Sequence, residues 1–165
     1  MLLITLLMFT ISLIQLGSAD YNIDVISLNG LSENPVVIQD DDGSGQITIN
    51  LLESVEGFTY RATFFEKVKF AMPSINGDVC GEIDESTAEG LLMKILSEII
   101  DTDDCPVPAG SYPVKKSFSV KGDAFKDVLP PGFEVGGIRV VLSHPEKEGT
   151  SQQAVYISVK VTEVK

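Results

Sequence analysis

The chain has no tryptophan, one histidine and two cysteines, and it carries half as many basic side chains as acidic ones. Each shortage removes a class of chemistry. His144 is all that a Ser-His-Asp triad, a Cys-His pair or a multi-histidine metal centre could draw on, and no Gly-x-Ser-x-Gly elbow accompanies it. It precedes Pro145 and reads as part of a polar turn from His144 to Ser151. Gly-rich phosphate cradles are missing as well, since Gly136-Gly137 reads as a bend leading into a strand. With 24 acidic and 12 basic residues, a formal net charge of −12, the chain repels phosphate backbones, and nucleic acid is excluded as a partner. None of Asn22, Asn29, Asn34, Asn50 and Asn76 begins a glycosylation sequon. No enzymatic activity and no cofactor are expected.

Long apolar runs are also scarce. The one present, Leu2 to Leu16, lies in a leader, Met1 to Ala19, that holds no charged side chain and ends Gly17-Ser18-Ala19. That is the pattern of a secretory signal peptide cut before Asp20, and the run is shorter than the ~20 residues of a membrane span. Residues 20–165 are then expected to form one secreted, extracellular domain, long enough to bury a core. An oxidising compartment favours pairing of Cys80 with Cys105, the only connectivity two cysteines allow; two free thiols are the alternative. A bond would close a loop of about 25 residues, a constraint of roughly 3–4 kcal/mol.

What is present is mostly strand pattern. Tyr21, Ile23 and Val25 alternate with polar residues toward Leu28, and Asn29-Gly30 reads as a turn. Val36-Val37-Ile38 is a short apolar run, and Ile47, Ile49 and Leu51 mark a half-buried strand. Phe58, Tyr60, Ala62 and Phe64 share a face, and the phase slip at Phe64-Phe65 predicts a bulge there. Val114, Phe118 and Val120, then Ile138, Val140 and Leu142, then Ala154 to Val161 supply further strands. The loop from Asp40 to Ile47 matches the start of a calcium loop but has Leu51 where the bidentate glutamate belongs, so no metal is expected.

One helix interrupts the strands. Ser86 and Glu89 read as a capping box, and Leu91, Leu92, Ile95, Leu96, Ile99 and Ile100 recur at helical spacing. Lys94, Ser97, Glu98 and Asp101 fall opposite, and Asp103, Asp104 and Pro106 are expected to end it. Six to eight strands with one inserted amphipathic helix predict a mainly β fold, an antiparallel immunoglobulin-like β-sandwich or β-cup. The aromatic cluster around Phe58, Tyr60 and Phe64 leaves two readings open: a filled core, or sheets standing apart around an apolar cavity.

Cys80, the helix, Cys105-Pro106, Gly110, Tyr112 and Val114, followed by Leu129-Pro130-Pro131-Gly132 before two final strands, form a constellation. Over roughly Phe58 to Lys165 it resembles the ganglioside-activator-like proteins of arthropods, in the ML lipid-recognition superfamily that includes the Niemann–Pick type C sterol carrier. The resemblance implies a β-cup that binds or transports a lipid or other hydrophobic small molecule without catalysis. It implies that Leu91, Leu92, Ile95, Leu96, Ile99 and Ile100 lie against the cavity or its lip. It also implies that Val128, Leu129 and Phe133 form a loop able to touch ligand, membrane surface or receptor. The vertebrate branch has several disulfides, a sequon and a tryptophan-rich rim, so its glycolipid specificity is not carried over. A monomeric carrier is the first expectation. The second is a filled-core sandwich whose acidic surface meets a basic patch on a partner protein.

Overall fold

The computed structural model describes residues 20–31, 36–40, 45–67, 73–81, 84, 86–126, 128–145 and 151–164. The leader and most of the aspartate loop, residues 41–44, lie outside the described residues, so the signal-peptide and calcium readings have no structural counterpart here.

In chain order the elements are β1 (Tyr21–Gly30), β2 (Val36–Asp40), β3 (Ile47–Leu51), β4 (Thr59–Glu66), β5 (Ile75–Asp78) and α1 (Ala88–Ile100). There follow β6 (Gly110–Pro113), β7 (Ser117–Val120), the four-residue α2 (Asp123–Lys126), β8 (Val135–Pro145) and β9 (Ser151–Glu163). Two antiparallel sheets result, one of six strands in the order β5-β4-β8-β9-β1-β7 and one of three in the order β2-β3-β6. The protein is a mainly β sandwich with one amphipathic helix.

Alternation decides which side chains face inward. Tyr60, Ala62 and Phe64 on β4, Ile138 and Val140 on β8, and Val155, Ile157, Val159 and Val161 on β9 are all buried. They join Val36, Ile49 and Leu51 of the smaller sheet in one apolar core. Among the described residues three register shifts adjust the phase; one falls between Leu142 and Ser143, where Ala154 of β9 is the extra residue, and two more lie on β1 and β8. On β1 the register shifts between Val25 and Ser27, leaving Ile26 unpaired and exposed. The one on β8 is not the slip expected at Phe64-Phe65. Phe65 pairs with Gly137 and Glu66 with Val135, so the extra residue is Gly136 on β8. A Cβ at Gly136 would lie 3.0 Å from the Lys67 backbone, and glycine permits that approach.

Other boundaries also move. Asn29-Gly30 is not a turn; β1 continues until Gly30 pairs with Val155, because β9 still offers it a partner. His144 is likewise in a strand rather than a turn, opposite Gln152. Val114 stands between strands, its N–H donating to the Ile47 carbonyl.

Helix α1 links β5, an edge of the large sheet, to β6, an edge of the small one. Its cap is Thr87, one residue after the expected Ser86: the Thr87 hydroxyl accepts from the Gly90 N–H at 3.2 Å. Ser86 is engaged elsewhere, since its N–H and hydroxyl donate to the Asp84 carboxylate at 2.9 and 2.6 Å. Those bonds, the side-chain one foremost, hold the Asp84 carboxyl below its ordinary value of 3.8. The helix stops at Asp101 in the left-handed region, with the Thr102 N–H returning to the Ser97 carbonyl at 3.2 Å. That is two residues before the Asp103-Asp104-Pro106 stop, because backbone geometry at Asp101 acts first.

Candidate functional site

Cys80 and Cys105 are disulfide-bonded, with Cα atoms 5.5 Å apart. The bond joins the segment after β5 to the segment after α1, so both ends of the helix connection are held at one place. Beside this clasp a cavity of about 680 Å³ opens between the two sheets. Binding sites for small molecules run from ~300 to ~1,000 Å³, and this cavity falls within that range.

The walls are predominantly apolar. Val36, Ile49 and Leu51 come from the small sheet; Leu142, Val155 and Ile157 come from the large one. Phe58 and Val55, from the connection between β3 and β4, also line the cavity, as does Ala124 of α2. Helix α1 supplies Leu91, Met93, Leu96, Ile99 and Ile100, together with the polar Lys94 and Ser97. Gly81, Lys94, Asp103, Asp104 and Cys105 line the cavity and are themselves exposed, so the mouth lies between α1 and the disulfide-bonded segments. It follows the boundary between the apolar and polar faces of the helix. Elsewhere on the helix, Glu98 pairs with Lys115 at 2.9 Å, and the hydrogen bond to that carboxylate raises the lysine's pKa.

Of the residues expected at the cavity, Phe58, Leu91, Leu96, Ile99 and Ile100 line it. Tyr60, Phe64, Leu92 and Ile95 are buried in the core without lining it. Tyr60 lies across β5, where a Cβ at Gly77 would come within 2.7 Å of its hydroxyl. Burial, then the Glu89 and Asp78 carboxylates, pushes its phenol above the ordinary 10.0. Leu129 is buried, and Val128 and Phe133 pack half-buried against the core, also away from the cavity walls.

Val36, Val55, Met93, Leu142, Val155 and Ile157 were not singled out, although the alternation around Leu142, Val155 and Ile157 was visible. Alternation tells which side chains point inward, but it does not tell which of them meet a facing side chain. His144 Nε2 lies 2.9 Å from Glu53, and the imidazole stands edge-on to Phe58 with ring centroids 5.0 Å apart. It thus packs against a residue that lines the cavity. No helix among the described residues is long and apolar enough to cross a membrane. Neither a protein-family model nor a curated protein matches the chain.

Proposed function

We propose that the protein is a secreted, non-enzymatic carrier that holds a lipid or other hydrophobic small molecule between its sheets, in the manner of the ganglioside-activator-like ML proteins it resembles. The observation that carries this reading is the apolar cavity of about 680 Å³ with its mouth beside α1. Filling it with water would be unfavourable: roughly twenty waters at ~30 Å³ each would face walls with few hydrogen-bonding partners. An alkyl chain contributes about 0.8 kcal/mol per buried CH₂ before ordering costs, and the walls are built to collect that. The disulfide suits an oxidising, extracellular compartment.

The test is native mass spectrometry of the secreted protein, with lipid extraction of the same sample and displacement of a fluorescent fatty-acid probe. Expected are a co-purifying mass that extracts into organic solvent and a probe displaced at micromolar protein. Absence of both would sink the proposal. Leu142→Trp and Val55→Phe place added volume inside the cavity, and each is expected to weaken displacement of the long-chain probe in a folded protein.

A further inference from the structure

The outward face of the six-stranded sheet holds a second feature, on the side away from the cavity. The chain's only two arginines, Arg61 and Arg139, are both there and both exposed, together with the exposed Lys160. Their placement follows from the strand register. Arg61 of β4 stands opposite Val141, and Arg139 of β8 stands opposite Thr63, which makes the arginines diagonal neighbours. Arg139 in turn stands opposite Ser158, and Lys160 opposite Gly137, so Lys160 takes the next diagonal step in the same direction. Diagonal neighbours on adjacent strands lie about 7–8 Å apart. Three cations therefore cross β4, β8 and β9 as an evenly stepped ladder.

Arg139 and Lys160 of the ladder, with Lys67, border a notch of about 440 Å³. Gly137 leaves the floor without a side chain, while Phe65 and the bulged Ile26, 64% exposed, form apolar walls. The Arg139 guanidinium lies 4.5 Å over the Phe65 ring, which holds it in place beside the notch. The ion pairs among the described residues use Lys115 and His144, and none uses Arg61, Arg139 or Lys160. Asp24, opposite Lys160, accepts a hydrogen bond from Ser117 at 2.7 Å, and Glu66 borders the notch. On a body of net charge −12, a line of cations without an ion pair among the described residues is complementary to an external anion.

We infer that this face binds an extended acidic peptide segment of a partner protein, with carboxylates at every second residue on the ladder and one apolar side chain in the notch. The step length selects this occupant, because alternate residues of an extended chain lie ~6.8 Å apart on one side. The body's remaining acidity does not forbid approach: at physiological salt, charges beyond ~8 Å are largely screened. Arginine forks add geometric selectivity for carboxylates.

The test is fluorescence anisotropy with two labelled peptides of equal composition, one with glutamates alternating around a central leucine and one with the glutamates in a block. The alternating peptide is expected to bind at least tenfold more tightly. The Arg61→Gln/Arg139→Gln double variant is expected to lose roughly tenfold or more, the scale of one charge-assisted hydrogen bond. The Arg61→Lys/Arg139→Lys variant retains charge and controls for folding, and Lys94→Gln, at the cavity mouth, should leave binding unchanged. Equal binding of the two peptides, no binding of either, or tighter engagement of a sulfated glycan or anionic vesicles would each overturn the inference.

Discussion

Thr87 shows how finely the start of α1 is set. Its hydroxyl satisfies the Gly90 N–H, one of the donors a helix leaves without a partner at its start. Thr87→Ala is expected to cost about 1 kcal/mol in chemical denaturation. Ser86→Ala should act instead through Asp84. Because the Asp84 carboxyl is held below its ordinary 3.8, its bonds to Ser86 contribute stability above that pH. That contribution is lost as pH falls through the depressed folded value. NMR titration should find the Asp84 carboxyl below its ordinary range in the native protein and moved part of the way back in Ser86→Ala, which keeps the backbone N–H bond. The capping signal was legible as a cluster of polar residues, but Asp84 decided which of two adjacent hydroxyls became the cap.

At the level of elements, legibility tracked how much each segment's own pattern contributes to its stability. Strands β3, β4 and β9 announced themselves because inward apolar side chains alternate along them. The edge strands β5 and β6, Ile-Asn-Gly-Asp and Gly-Ser-Tyr-Pro, carry turn-type composition and become strands because β4 and β3 pair with them. The phase slip near Phe65 was visible in β4, yet the extra residue sits in β8, since register belongs to a pair of strands. Gly136→Ala would press a methyl to within 3.0 Å of the Lys67 backbone, and a loss of about 1–3 kcal/mol is expected on thermal or urea unfolding. The clasp is the second such test. Replacing both cysteines with serine should remove roughly 3–4 kcal/mol relative to the disulfide-bonded protein, and the reduced wild type should match the serine variant apart from side-chain effects. It should also speed ligand exchange, because the freed segments border the cavity mouth.

For the whole molecule, the alternation pointed to two sheets and a helix and left both a filled core and a cavity open, and only the family resemblance put the cavity first. Phe58, Leu91, Leu96, Ile99 and Ile100 line the void, whereas Tyr60, Phe64, Leu92 and Ile95 fill the core, and nothing in their own spacing separates the two groups. Separation depends on how far β2 and β3 stand from β9, which is a property of the assembled sheets. The charge layout has the same origin: Arg61 and Arg139 are far apart in sequence and become neighbours through the pairing of β4 with β8. The carrier reading makes a quantitative demand on the cavity, that affinity grow with the apolar surface it removes from water. The most direct measurement is titration calorimetry with a homologous series of straight-chain ligands sharing one headgroup. Each added methylene is expected to strengthen binding by about 0.8 kcal/mol, roughly fourfold, until the cavity is full and the gain stops, with an earlier stop in Leu142→Trp. An affinity that does not change with chain length, or the same stopping point in both proteins, would contradict it.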